Sequence, residues 1–151
     1  MERNIKQEMV ARKFLNDSIE YNKSFSRGIR VNLGGSEMLF ISGTASVDEK
    51  GTTFARGDFS LQVKRVFHNL TGLLESEGAD WNNVVKTTCY LKSMKQYGEF
   101  NEIRNKFYRR QRVRPFPASV CVEARLCRPE LLVEIEAIAI LPVKQKKLDK
   151  K

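Results

Sequence analysis

Glu134 and Glu136 stand at alternate positions of the apolar run Val133–Leu141 (VEIEAIAIL). Residues two apart in a strand share a face, so this run would carry two neighbouring carboxyls on one side. A carboxylate partly removed from water, beside a second one, is pushed toward neutrality. That suits it to take a proton from an attacking water. The same alternation also suits edge charges or ion pairs between subunits, and the residues alone leave these readings open. Other chemical sets are thin. Cys89, Cys121 and Cys127 include no C-x2-C pair, and His68 is the sole histidine. Neither a zinc site nor a paired Cys–His nucleophile emerges from their spacing, and no metal is expected. Cys89 and Cys121 read as small core residues in a reducing compartment, which points to the cytoplasm.

The elements that must position the glutamates can be read from periodicity. Arg30–Leu33 and Met38–Ser42 predict two strands around a tight turn at Gly34-Gly35. Gly43 follows, where a missing Cβ lets a ligand or backbone approach closely. Asp58 reads as the N-cap of a helix from Phe59 to Gly78, with Val63, Val66, Phe67, Leu70, Leu73 and Leu74 on one face. Asn83–Leu91 predicts a β-branched strand. Tyr97, Phe100, Ile103, Phe107 and Tyr108 predict a second helix, ended by Arg114-Pro115-Phe116-Pro117. Ala118–Leu126 and Leu131–Leu141 are the last strands. The order β-β-α-β-α-β-β is that of an α+β sandwich, a sheet with two helices on one face. Its other face, bearing Ile138 and Ile140, needs a cover, and self-association into a closed ring supplies one.

The chain has 151 residues, 41% of them hydrophobic, and a net charge of +9. That length suits one domain: residues 1–24 as an N-terminal extension or arm, 25–142 as the body and 143–151 as a basic tail. The excess charge is local. Arg104–Arg114 holds six basic residues and no acid, and Lys144–Lys151 holds five lysines and one aspartate. Such patches attract phosphates, but the aromatics beside the helical patch fall on its apolar stripe. Nucleic-acid binding or ribonuclease action is therefore a minor reading. The sequence contains no signal-like core and no membrane-length apolar run.

The segments FISGTASVDEKG, LLESEGADWNNVVKTTCYLKSM, YGEFNEIRNKFY, FPASVCVEARL and LVEIEAIAI closely resemble the Rid family, also called YjgF/YER057c/UK114, over roughly Arg27 to Leu141. The resemblance implies a chorismate-mutase-like α+β fold and a homotrimer with a central β-barrel. It also implies small-molecule ligand clefts between subunits and cofactor-free hydrolysis of 2-imino or enamine acids to 2-oxo acids and ammonia. By the same resemblance, Gly43 matches the cleft glycine, Phe25 an often-tyrosine position at the cleft mouth, and Asn101 a polar residue near the site. Glu134 matches the carboxylate that positions water. Backbone donors around Val120 and Cys121 would orient the ligand.

One expected feature is absent. Archetypal imine deaminases carry Pro-Ala-Arg-Ser, whose arginine clamps the substrate carboxylate. Here the stretch is Pro117-Ala118-Ser119-Val120. Aligning Ser119 with the family serine puts Ala118 at the arginine position. Arg114, Arg56 and Arg125 are the nearest replacements by sequence context. The chain thus resembles a divergent member, a deaminase with altered substrate preference or a non-catalytic ligand-binding protein.

Overall fold

The computed structural model describes residues 5–16 and 23–142, and the basic tail at 143–151 lies outside them. Six strands form one mixed sheet: β1 (Lys6–Glu8), β2 (Gly28–Asn32), β3 (Ser36–Ala45), β4 (Val84–Leu91), β5 (Ala118–Glu123) and β6 (Val133–Pro142). Their order is β1-β2-β3-β6-β4-β5. All neighbours are antiparallel except β4 and β5, which run parallel. Helices α1 (Phe59–Ser76) and α2 (Tyr97–Arg110) cover one face, as the order of elements predicts. The described part of the arm is a strand over Lys6–Glu8 and a turn over residues 12–15. It adds β1 to the edge of β2, then buries Met9, Ala11 and Leu15 in the core.

Helix α1 begins where the N-cap signal places it. The Asp58 carboxylate accepts from Leu61 N at 2.9 Å, satisfying one of the amides a helix start leaves unpaired. Gly78 at φ +72° follows its end, a conformation a Cβ would penalise. Val63, Val66, Leu70, Leu73 and Leu74 are fully buried against the sheet. Phe67 stacks on Phe107 of α2 with centroids 4.4 Å apart, and Trp81 meets the same ring edge-on at 5.2 Å.

Two buried amides on α1 fasten the loops beside the sheet. Gln62 Nε2 donates to the carbonyls of Ala55 and Glu130, at 3.2 and 2.9 Å, while its Oε1 accepts from Leu132 N at 2.9 Å. Asn69 Nδ2 donates to the carbonyls of Ala45 and Val47 at 3.1 and 3.0 Å. Buried polar groups of this kind are costly unless paired; here they fix the entry to β6 and the exit from β3.

Strand register divides the sheet residues between two faces. Val133, Ile135, Ala137, Ala139 and Leu141 of β6 lie buried under the helices. Glu134, Glu136, Ile138 and Ile140 point to the opposite, helix-free face. There Ile138 pairs with Phe40, and Ile140 with Met38. On β5, Ala118, Val120 and Val122 share that face, whereas Ser119, Cys121 and Glu123 are in register with Thr87, Cys89 and Leu91 on the helix side. Phe40 is 41% exposed and Val120 46%, so apolar side chains on the helix-free face stand open to solvent.

Candidate functional site

The β3–β6 ladder is interrupted between Ile41 and Thr44, and this irregularity shapes the Glu134 side of the site. Ser42 turns toward the preceding loop: its amide donates to Arg27 O at 3.1 Å and its hydroxyl to Ser26 O at 2.6 Å. Gly43 then lies against the glutamate. A Cβ at Gly43 would stand 2.0 Å from Glu134 Oε1 and 3.0 Å from its Cδ, so the carboxylate occupies space that only glycine leaves vacant. Burial, reinforced by the negative charge of Glu136, pushes the Glu134 carboxyl above the ordinary carboxylate range. Glu136 instead accepts from the Tyr90 hydroxyl at 3.3 Å. Phe25, Gly43 and Glu134 line one cleft of about 770 Å³, with Lys23, Arg27 and Arg128 at its walls.

A second polar cluster occupies the helix side of the β5 edge. Ser119 Oγ accepts from Thr87 Oγ1 at 3.0 Å and from Arg104 Nη1 at 3.2 Å. Asn101 Oδ1 accepts from Arg104 Nη2. Cys121 packs against the adjoining core, and burial raises its thiol pKa. It therefore lacks the thiolate character of a nucleophile.

Thus the structure brings Phe25, Gly43 and Glu134 together, and Asn101, Ser119 and Cys121 together, in two separate places on one chain. Val120 belongs to neither, since it faces the helix-free side. Arg114 sits beyond the start of β5, its amide donating to Asn82 Oδ1 at 3.0 Å and its guanidinium 4.8 Å from the Phe116 centroid. Register also corrects the placement of the missing arginine. Ala118 pairs with Lys86 on the helix-free face, so a side chain there points away from Asn101. Position 119 is the one from which a guanidinium would reach it. Arg104, absent from the sequence-derived candidates, was concealed in an eleven-residue segment that holds six basic residues. Its only local signal was the i,i+3 spacing from Asn101, which puts both on one helix face. Among the described residues, no three of His, Cys, Asp and Glu cluster to hold a metal ion, and no helix is long and apolar enough to cross a membrane.

The family model described as Endoribonuclease L-PSP matches residues 16–141. The chain belongs to the Rid (YjgF/YER057c/UK114) family. A RutC family protein of Pyrococcus abyssi is 33% identical over 115 residues, covering 76% of this chain and 84% of that relative. The 2-iminobutanoate/2-iminopropanoate deaminase of Mus musculus is 30% identical over 116 residues, covering 77% and 80%. The crystal structure of the YjgF gene product from E. coli superposes with a TM-score of 0.74 at 25% identity, covering 89% of this chain and 98% of the other. The family supports deaminase-type hydrolytic chemistry of a general kind for this Rid protein.

Proposed function

We propose that this Rid protein is a cytoplasmic, cofactor-free hydrolase that releases ammonia from small imine or enamine metabolites. Its substrate preference differs from that of the archetypal deaminases. The observation that carries the reading is Glu134: a carboxyl with a raised pKa, seated against Gly43 in an open cleft. Similarity to the mouse deaminase supports the chemistry.

In the proposed reaction, the Glu134 carboxylate accepts a proton as water oxygen bonds to the iminium carbon. The resulting carbinolamine receives that proton on nitrogen; as the C–N bond breaks, the hydroxyl proton passes to the freed Glu134 carboxylate and ammonia departs, leaving the carbonyl. The raised pKa brings Glu134 toward the operating pH, where one group can both take and return a proton.

The active assembly is a homotrimer. Three sheets closing into a barrel would cover the exposed Phe40, Val120, Val122 and Ile140. This closure would also let the Glu134 cleft of one subunit face the Asn101–Ser119 cluster of its neighbour, completing a small-molecule site. The second reading, ligand binding without turnover, is favoured by the serine at position 119 in place of an arginine.

The test is ammonia release from enzymatically generated imines with neutral, aromatic and acidic side chains. The parent protein accelerates release, and Glu134→Gln abolishes the acceleration. Tight ligand binding without ammonia release would instead establish the second reading.

A further inference from the structure

Arg104 lies on α2 one turn beyond Asn101, with its guanidinium 5.1 Å from the Phe100 ring centroid. Its Nη1 and Nη2 donate to Ser119 and Asn101, and both of these acceptors are neutral. Among the described residues, Arg30, Arg56 and Arg65 each pair with a carboxylate, while Arg104 forms no ion pair. A guanidinium carries five N–H donors in a rigid fork, so part of the fork remains available. Three contacts therefore orient a permanent cation whose charge no described group neutralises. Such a group is preorganised for a planar anion, which it can meet with two parallel hydrogen bonds.

The partner chemistry follows from position. Ser119 is the β5 residue that faces Asn101, and its short hydroxyl leaves room that the helix-borne guanidinium fills. The site requires neither displacement of an internal salt bridge nor a new cation from the loops. We propose that Arg104 is the carboxylate anchor of this protein, moved from strand to helix. The site's ligands are then small molecules held by a carboxylate at the α2–β5 edge. This inference rests on the hydrolase reading for the reaction, but the anchor itself is a statement about binding.

The probe is 2-oxobutanoate, titrated into the full-length protein by calorimetry beside 2-oxobutanamide and inorganic phosphate. The variants are Arg104→Gln and the double variant Arg104→Gln/Ser119→Arg, with circular dichroism confirming the fold. The acid should bind the parent at least tenfold more tightly than the amide. Arg104→Gln should weaken the acid roughly 10- to 100-fold, the range for losing a charged hydrogen-bonding partner, and leave the amide unchanged. Returning an arginine to position 119 should recover most of the loss. Equal binding of acid and amide by the parent, or unchanged acid binding in Arg104→Gln, would overturn the proposal. So would phosphate binding as tightly as the acid with the same dependence on Arg104, which would indicate a general anion patch.

Ammonia release measured in parallel separates the two readings. Arg104-dependent acid binding without hydrolysis would refute the enzyme and leave the anchor. Hydrolysis with a parent-like KM in Arg104→Gln would refute the anchor and leave the enzyme.

Discussion

Gly43→Ala tests whether the Glu134 carboxylate must lie where the structure places it. The backbone at Gly43 is not left-handed, so alanine imposes no conformational strain of its own. The difficulty is local: the added Cβ would stand 2.0 Å from Glu134 Oε1. Restoring ordinary contact requires that oxygen to retreat by roughly 1.4 Å. Displacements of about 1 Å at a reacting group cost on the order of 100-fold in rate, and ammonia release should fall by about that factor. Stability should follow a different course. The clashing atom ends a flexible side chain in an open cleft, so the side chain can swing away while the strand stays. Alanine also restricts the unfolded chain, a gain of about 0.4–1 kcal/mol where the native conformation accepts it. The variant should therefore melt at or slightly above the parent temperature while losing most activity. Parent-like turnover would refute the placement of Glu134 as the water-activating group. Loss of both folding and activity would show that Gly43 serves the bulge rather than the chemistry.

Two further outcomes follow. Because burial raises the native pKa of Glu134, the native state binds more protons than the unfolded chain between the ordinary and the raised value. Stability contributed by this group therefore falls as pH rises through that window. Glu134→Gln, inactive, should exceed the parent in urea stability at pH 8, with the advantage shrinking as pH falls through that window and gone by about 4.5; a constant difference across pH would contradict the burial argument. At Gly72, a Cβ would lie 2.2 Å from the Phe14 ring, so Gly72→Ala should expel the arm's Phe14 and destabilise the fold by about 1–3 kcal/mol, despite alanine's better helix propensity. Phe14→Ala should make the same change at Gly72 neutral or stabilising, and additive losses in a double-mutant cycle would exclude the contact.

The elements with strong local signals were legible in the sequence. Asp58 and the Val63–Leu74 stripe located α1, and the alternation of Val133–Leu141 assigned Glu134 and Glu136 to one face. The Gly34-Gly35 signal gave the hairpin, where Gly34 indeed takes φ +87°. Features made by distant parts of the chain were not legible. The arm's pairing through Lys6–Glu8 joins only three residues to β2, too few for periodicity to reveal. Gln62 and Asn69 carry no local signal for their partners, which are backbone groups of the β3–α1 and β5–β6 loops and the end of β3. Arg104 resembled its neighbours in a solvated basic run, and only folding shows it bonded to a strand fifteen residues later. Register likewise assigned position 119, not 118, to the Asn101 side.

The central claim, that each site combines Glu134 of one subunit with the Arg104 cluster of the next, has a direct test in subunit mixing. Glu134→Gln and Arg104→Gln proteins are each prepared, unfolded together in equal amounts and refolded, and ammonia release is compared with the parent. In a closed ring of three, every mixed trimer contains one junction where both intact halves meet. Three quarters of randomly assembled trimers are mixed, so the account predicts recovery of about one quarter of parent activity. Mixing that yields no more than the two separate variants, with heterotrimers confirmed by native mass spectrometry, would contradict a site shared between subunits.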